Sequence, residues 1–373
     1  MSTAFSLERP SVEFPNLLSR LLLRRGFNKQ FIVPGSVPRP MRWFLTFVER
    51  CLLHVDTRGI EVRKPIFLLG LHRSGTTMLQ DLLCSLPAIG YITNRMSNHP
   101  SHVCAVEAVA NWLRLDVRGE RFLRDGVQLS GSSPNEGVPF WQRWLGEDPY
   151  DFRYVERRIE DFSPERREAI VNDIRKILWC FWPRGGRFFS KNPCLLPYAR
   201  LLSQLFPDAR FLHILRAPRR TAHSMVKLYR MVQQQLEWIR ANGGHGMYDE
   251  RPYMPFPRLP RLAEYVEQYG PDDIRTTARL WRDGVALMDE VKNQLPSFLE
   301  VRYEDILADP PKSFQRILDF CELDVSVKQP EFSMRLSQVG KLPTQSRDDS
   351  SGVVEEICGD VMHQHGYPGL PVA

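Results

Sequence analysis

The segment from residue 65 to residue 83 constrains the fold of this 373-residue chain more than any other stretch. Ile66 to Leu69 is a short apolar run behind a proline, which is typical of a strand buried on both faces. Gly70 to Thr77 is small, polar and basic, and apolar residues then recur at helical spacing from Met78 to Leu83. The segment therefore predicts a strand, a tight loop and a helix in immediate succession.

A loop of this kind directs several backbone N–H groups and the positive end of a helix dipole toward one point. Such a point suits a phosphate or a sulfate group. Gly70 and Gly75 allow the backbone to approach a ligand closely, and Ser74, Thr76 and Thr77 add hydroxyl donors. The alternative is a buried strand-turn-helix unit whose glycines serve no ligand.

The loop nearly matches the nucleotide-binding pattern G-x-x-x-x-G-K-[ST], but Thr76 stands where that pattern has its lysine. The cation of the loop is Arg73 instead. This arrangement resembles the 5′-phosphosulfate loop of bacterial-type sulfotransferases, whose donor is 3′-phosphoadenosine 5′-phosphosulfate (PAPS). In that family the loop reads approximately Pro-(Lys/Arg)-Ser-Gly-Thr-Thr, and His72 occupies the position of the proline. The resemblance implies nucleotide binding by His72, Arg73, Ser74, Gly75, Thr76 and Thr77.

Three further segments predict strands, namely Arg187 to Ser190, Ala209 to Arg216 and Phe298 to Tyr303. Repeated strand-loop-helix units with buried strands indicate a parallel sheet that binds ligands at its carboxyl edge. The expected fold class is α/β. We expect a P-loop-like three-layer fold with a central, mostly parallel sheet flanked by helices.

Three other parts of the chain resemble the same family. Arg216 ends a predicted strand and Ser224 lies on the following helix, and the resemblance implies that this pair holds the 3′-phosphate of PAPS. The segment Tyr303-Glu304-Asp305 resembles one whose tyrosine lies near the adenine. Lys191, in Ser-Lys-Asn-Pro, corresponds to a lysine that reaches the sulfonate group.

The general base is the least determined part of the predicted site. Pro193 stands where cytosolic members of the family have a catalytic histidine. The region where other branches have a glutamate reads Thr93-Asn94-Arg95. We prefer Glu136, in a turn-rich Ser-Pro-Asn-Glu loop, then Glu107, then His99.

The resemblance implies transfer of a sulfonate group from PAPS to a hydroxyl or amine of a small-molecule or lipid acceptor. The predicted catalytic residues are Arg73, Lys191 and Glu136. No metal ion is expected, because the donor has no pair of bridged phosphates to neutralise. Two other functions stay open, a P-loop nucleotide-binding kinase or hydrolase and a catalytically inactive nucleotide-binding adaptor.

The net charge of +6 and the pI near 9.0 favour anionic ligands, and no regular basic-aromatic motif indicates nucleic acid as a partner. Seven cysteines without a C-x-x-C pair are typical of reduced thiols in a cytoplasmic protein. His99 and His102 have a spacing known from metal sites, but no cysteine or acidic partner follows them. No apolar run approaches the ~20 residues that span a bilayer, so the expected location is the cytoplasm.

We divide the chain into an N-terminal helical extension, residues 1–60, and a sulfotransferase domain, residues 61–373. An apolar stripe along residues 41–55 predicts a helix in the extension. That helix either packs on its own protein or forms a membrane-surface or dimer contact. Arginines at positions 20, 24 and 25 favour a peripheral membrane contact, and an oligomer is also open.

The proline-rich segment 231–275 predicts an insertion over the active site, either a lid or an acceptor-binding loop. Its aromatic residues, with those that follow Glu136, favour an apolar or amphipathic acceptor. The alternative is that these aromatic residues belong to the core.

Overall fold

The computed structural model describes the chain as residues 12–23, 39–120, 127–183, 185–241, 251–324 and 352–367. Its strands are β1 (Val12–Glu13), β2 (Ile66–Leu69), β3 (Ile89–Tyr91), β4 (Arg118–Glu120), β5 (Gln128–Ser130), β6 (Arg187–Lys191), β7 (Arg210–Leu215) and β8 (Phe298–Arg302). Its α-helices are α1 (Leu17–Leu23), α2 (Arg39–Phe47), α3 (Thr76–Leu83), α4 (Asn94–Asn98), α5 (Val103–Trp112), α6 (Val138–Leu145), α7 (Pro164–Trp179), α8 (Ala199–Leu205), α9 (Pro218–Ala241), α10 (Leu262–Tyr269), α11 (Ile274–Val291), α12 (Tyr303–Ala308), α13 (Pro310–Phe320) and α14 (Val353–Gln364).

The central sheet has five strands in the order β3-β6-β2-β7-β8, and all four pairings are parallel. In the middle strand, Phe67 lies opposite Ser190 on one side and Phe211 on the other. A small antiparallel sheet of β1, β4 and β5 lies apart from it. The predicted α/β fold with a mostly parallel sheet is confirmed.

Apolar residues cover both faces of the central sheet, as the continuous apolar strands predict. Along β2, Phe67 and Leu69 belong to one buried cluster, whereas Ile66 and Leu68 belong to another. Successive side chains of a strand point to opposite faces, so the two clusters are the two sides of the sheet. Full burial of each such side chain contributes roughly 1.5–3 kcal/mol. The expected three-layer arrangement is therefore correct.

The N-terminal stripe forms α2 and continues as a π-helical turn over Val48–Leu52. Leu45 and Val48 are buried and pack against Ala105 and Val106 of α5. Large apolar side chains on the other side of this segment are exposed. The helix thus packs on its own protein with one side only, while Arg24 and Arg25 lie outside the described residues.

In the part that the structure describes, most of the segment 231–275 forms helices or packs into the core. Its beginning completes α9 and its end forms α10 and the start of α11. Met254 and Phe256, which lie between these helices, are fully buried. These two side chains therefore belong to the core, which was the alternative interpretation, and do not line an open pocket. Residues 242–250 lie outside the described part, so the assignment as a lid stays a prediction.

The C-terminal helix α14 is tied to the sheet by a buried charge network. The Nδ1 atom of His365 lies 2.9 Å from Glu300 Oε1, and its Nε2 atom lies 2.8 Å from Asp289 Oδ2. His213 of β7 contacts the other oxygen of Glu300 at 3.0 Å. Hydrogen bonds to Glu300 and Asp289 outweigh burial and raise the pKa of His365. Burial alone would raise the pKa of Glu300, but the hydrogen bonds from His213 and His365 outweigh burial and lower this pKa to about 2.

We predict that His365→Gln lowers the free energy of unfolding most in mildly acidic solution. Because the folded pKa of His365 is raised, its stabilisation is complete below its ordinary pKa of 6.5 and is lost as pH rises through the folded value. Urea unfolding followed by circular dichroism at about pH 6 and about pH 9 measures the difference. The matched control is His363→Gln, at an exposed position on α14 two residues before His365. Equal losses at both pH values would contradict the assigned charge on His365.

Candidate functional site

The predicted site residues meet at the carboxyl edge of the central sheet. The loop of residues 70–75 follows β2, Lys191 ends β6, Arg216 follows β7 and Tyr303 follows β8. Because these four strands are parallel and adjacent, their ends lie side by side. Segments that are distant in sequence are thereby brought to one place.

The loop after β2 has the unusual backbone that its glycines predict. Gly70, Arg73 and Gly75 have φ angles of 149°, 71° and 98°. Ser74 is buried and its hydroxyl donates to Leu71 O at 2.7 Å, which closes the turn. Helix α3 then begins at Thr76 without a side-chain cap. This combination directs N–H groups of a loop and a helix start to one region, as an anion site requires.

Tyr303 explains why residue 75 is a glycine. A Cβ atom at Gly75 would lie 2.3 Å from Cδ2 of the Tyr303 ring, and the φ angle of 98° disfavours any other residue. The guanidinium of Arg216 lies over the same ring, 4.8 Å from its centroid. Tyr303 is thus packed between the loop and Arg216. Its predicted contact with an adenine stays a prediction.

Arg73, Arg216 and Ser224 form one hydrogen-bonded group. Arg73 Nε donates to Ser224 Oγ at 2.9 Å, and Arg216 Nη1 donates to the carbonyl of Arg73 at 2.8 Å. The sequence assigned Arg73 to one phosphate of the nucleotide and the other two residues to the second. In the structure, Arg73 is in direct hydrogen-bond contact with both Arg216 and Ser224.

Arg216 keeps a buried donor that the described residues do not satisfy. Its Nε atom is buried and has no hydrogen-bond partner within the described stretches. Burial also lowers the pKa of Arg216. Because an unpaired buried donor is costly, this atom fits an anionic ligand that would complete the site. The neighbouring Arg219 lies 3.0 Å from Glu355 and is already ion-paired.

Several residues that the sequence analysis did not assign to the site hold Arg216 in place. Trp281 Nε1 donates to the carbonyl of Arg216 at 2.9 Å. Glu304 Oε1 accepts from the backbone N–H of Ala217 at 3.0 Å, and Tyr367 donates to its other oxygen at 3.1 Å. The only signal in the sequence was Glu304 in the Tyr-Glu-Asp segment. The Trp281 and Tyr367 contacts join distant parts of the chain and have no local signature.

Lys191 and Glu136 form an ion pair beside the loop. The side chain of Lys191 is 3% exposed, whereas that of Glu136 is 32% exposed. Helix α6, which follows Gly137, brings the two together because its Trp141 donates through Nε1 to Ser190 Oγ at 3.0 Å. The structure therefore joins the predicted sulfonate lysine and the preferred base.

His72, in the loop after β2, lies within electrostatic reach of Lys191 and Glu136. Its imidazole is uncharged at neutral pH. Burial is the main cause that lowers the pKa of His72 to about 4. Glu136 opposes this shift, whereas the cations Lys191, Arg73 and Arg258 add to it. The Nδ1 atom of His72 is buried and has no partner among the described residues. At neutral pH this imidazole can accept or donate one hydrogen bond but carries no charge.

Arg258 is a further cation near the site that the sequence analysis missed. Its side chain is 2% exposed and donates to the carbonyls of Asp148 and Asp151 at 3.1 and 3.2 Å. It lies in the proline-rich segment, where nothing in the sequence distinguishes it from a surface arginine. It adds a buried positive charge within electrostatic reach of His72.

Glu107, the second choice for the base, has other partners, and His99 is partly buried. Glu107 accepts from Arg95 Nη1 at 2.9 Å and from the hydroxyl of Thr93. Arg95 also pairs with Asp116 at 3.2 Å, so this group holds the loops after β3 and α5 together. Burial lowers the pKa of His99 to about 4. Of the three candidate bases, Glu136 is the one that the described structure pairs with another predicted site residue, Lys191.

The described stretches contain no group of three or more His, Cys, Asp and Glu residues arranged to hold a metal ion. Within the same stretches, no helix is long and apolar enough to cross a membrane. All seven cysteines are free thiols.

Comparisons with known proteins point to one family. A curated relative, the omega-hydroxy-beta-dihydromenaquinone-9 sulfotransferase Stf3 of Mycobacterium bovis, is 24% identical over 317 residues, which are 81% of this chain and 75% of the relative. The Stf3 protein of Mycobacterium tuberculosis matches with the same values. The crystal structure of sulfotransferase STF9 from Mycobacterium avium superposes with a TM-score of 0.52 at 15% identity, covering 95% of this chain and 87% of that one.

The model of the sulfotransferase family matches residues 65–247 and 255–327. These ranges begin one residue before β2 and extend beyond β8, so they contain all strands of the central sheet and every predicted site residue. Because the match spans well over half of the chain, this protein belongs to the sulfotransferase family.

Proposed function

We propose that the protein transfers a sulfonate group from PAPS to a hydroxyl group of an amphipathic small-molecule or lipid acceptor. The observation that carries the proposal is the hydrogen-bonded group of Arg73, Arg216 and Ser224 at the carboxyl edge of the sheet, with the Lys191–Glu136 pair beside it. In a member of the sulfotransferase family, these are the residue types that the donor and the reaction require. The free thiols suit a reducing compartment, and we place the activity in the cytoplasm.

The donor carries anionic groups at two ends, and the chain offers donors for both. The N–H groups of the loop and of the first turn of α3 suit the 5′-phosphosulfate. Arg216, whose Nε donor is unsatisfied among the described residues, suits the 3′-phosphate together with Ser224. Because Arg73 bonds to Ser224, binding at one end orients the residue that acts at the other.

The reaction is a displacement at sulfur by the acceptor oxygen. The S–O bond to the 5′-phosphate breaks, the bond from the acceptor oxygen to sulfur forms, and the bridging electron pair stays on the phosphate. Arg73 stabilises the charge that develops on this leaving oxygen, and Lys191 neutralises the sulfonate oxygens. A well-placed donor of this kind supplies on the order of 3 kcal/mol.

Glu136 takes the proton of the acceptor hydroxyl in this proposal. Its carboxylate is partly exposed while its partner Lys191 is buried, so an acceptor can approach the acid from the open side. The ion pair keeps the carboxylate close to the sulfonate that Lys191 contacts. His72, uncharged at neutral pH, can contribute a hydrogen bond but no charge.

An apolar or amphipathic acceptor is supported by the curated relative, whose name specifies omega-hydroxy-beta-dihydromenaquinone-9. The aromatic residues that first favoured such an acceptor give less support. Phe140, Trp141 and Phe256 are at most 2% exposed and belong to the core. We therefore propose a lipid alcohol on the strength of the relative rather than of these side chains.

We predict turnover of labelled PAPS with long-chain isoprenoid or hydroquinone alcohols and none with sulfatable polysaccharides. Arg73→Ala should lower kcat by roughly 100-fold, because its charge is most useful in the transition state. The control is Arg58→Ala, because the Arg58 side chain is 90% exposed and forms a local ion pair with Asp56. Hydrolysis of ATP with Mg²⁺ and no use of PAPS would refute the proposal, and exclusive transfer to polysaccharides would refute its acceptor.

We predict tight binding of adenosine 3′,5′-bisphosphate and a much weaker complex with AMP. Arg216→Ala should weaken the bisphosphate by about 2 kcal/mol and leave AMP nearly unchanged, because only the bisphosphate has a 3′-phosphate for a charge-assisted bond. Isothermal titration calorimetry measures both. Arg200→Ala, on the exposed side of α8, is the control. Equal losses for both ligands would remove Arg216 from the 3′-phosphate.

A further inference from the structure

The N-terminal helices expose more large apolar surface than any other described part of the chain. Trp43 is 74% exposed, Leu17 71% and Leu21 69%, and Phe44 and Phe47 are each more than 40% exposed. Trp112, at the end of α5, is 56% exposed. We call these six side chains the N-terminal apolar face. An exposed apolar group of this size on helices marks a binding surface.

The three helices that carry this face are packed together. Leu45 and Val48 fill the space between α2 and α5. Helix α1 is fastened to the end of α5, because Asn16 Nδ2 donates to the carbonyl of Arg114 at 2.7 Å. The inner sides of these helices already have partners in the core. The exposed aromatic residues of α2 therefore lie on the side that faces away from the core.

Spacing along α2 places its exposed aromatic residues in one stripe. Trp43, Phe44 and Phe47 follow each other at i, i+1 and i+4, which is one side of a helix. The rings of Trp43 and Phe47 stack with centroids 6.2 Å apart. A stacked pair of aromatic rings on a helix surface is the kind of group that inserts at the boundary between lipid headgroups and acyl chains.

The charges on these helices are sorted by sign. The exposed charged side chains of α1, α2 and the π-helical turn are cations, Arg20, Arg39, Arg42 and Arg50. Glu49, the acid in the π-helical turn, points inward and lies 3.4 Å from Lys176. Glu107 of α5 is likewise turned inward, to Arg95. The exposed charges of α1, α2 and the π-helical turn are thus all positive and accompany exposed aromatic residues, and this combination is complementary to anionic lipid.

We propose that the N-terminal apolar face binds the surface of an anionic lipid bilayer. Trp43, Phe44 and Phe47 insert into the interface, and the arginines contact lipid phosphates. A second copy of the chain is a poorer partner, because its equivalent face would bring arginines against arginines. The inference goes beyond the proposed function, since it concerns attachment to a surface and requires neither PAPS nor a particular acceptor.

Co-sedimentation of the full chain with vesicles tests this directly. We expect binding to vesicles of phosphatidylcholine with phosphatidylglycerol, and weaker binding to phosphatidylcholine alone or at high salt. The double variant Trp43→Ser, Phe47→Ser should lower the partition coefficient by about tenfold or more. The matched control is Trp182→Ser, because Trp182 is 62% exposed but lies outside α1, α2 and α5.

A charge-reversal variant keeps the test decisive if loss of the aromatic residues disturbs folding. Arg39→Glu with Arg42→Glu leaves the apolar side chains in place and should weaken binding to anionic vesicles by about fivefold per arginine. Unchanged vesicle binding by both double variants would overturn the proposal. So would a wild-type dimer that ignores vesicles and becomes monomeric with Trp43→Ser, Phe47→Ser, because the face would then join two chains.

Discussion

The parallel pairing of β2 with β6 and β7 is the constraint on which the candidate site depends. Each parallel strand ends at the same edge, so the loop after β2, Lys191 and Arg216 are delivered side by side. The four residues of β2 are fully buried, and helices cover them from both faces. The position of the site is therefore set by the same apolar burial that stabilises the fold.

Buried positive charge is the second property of the site. Lys191 and Arg258 are at most 3% exposed, and burying an unpaired cation costs several kcal/mol. The fold offsets this cost with particular partners: Glu136 for Lys191, main-chain carbonyls for Arg258, and the carbonyl of Arg73 for Arg216. These partners hold the cations in place before an anion binds, which is the preorganisation that electrostatic catalysis requires.

Much of the fold could be predicted from the sequence, because strand burial and helix periodicity are local patterns. The aromatic residues of the proline-rich segment show where such prediction fails. Composition cannot distinguish a pocket lining from a core, since both are apolar, and Phe256 proved to be core. For the same reason the stripe on α2 had two interpretations. Leu45 and Val48 pack on the chain itself, as the first interpretation requires, whereas a membrane or dimer contact of the exposed side stays a proposal.

By itself, the sequence determined the α/β class and the loop that follows β2, because apolar runs and the spacing of Gly70 and Gly75 act locally. Only the tertiary structure decided that Glu136 meets Lys191 and that Arg73 donates to Ser224. Both contacts join residues that are far apart in the chain. They depend on how α6 and α9 pack against the sheet, and that packing results from the combined burial of many side chains rather than from any local pattern.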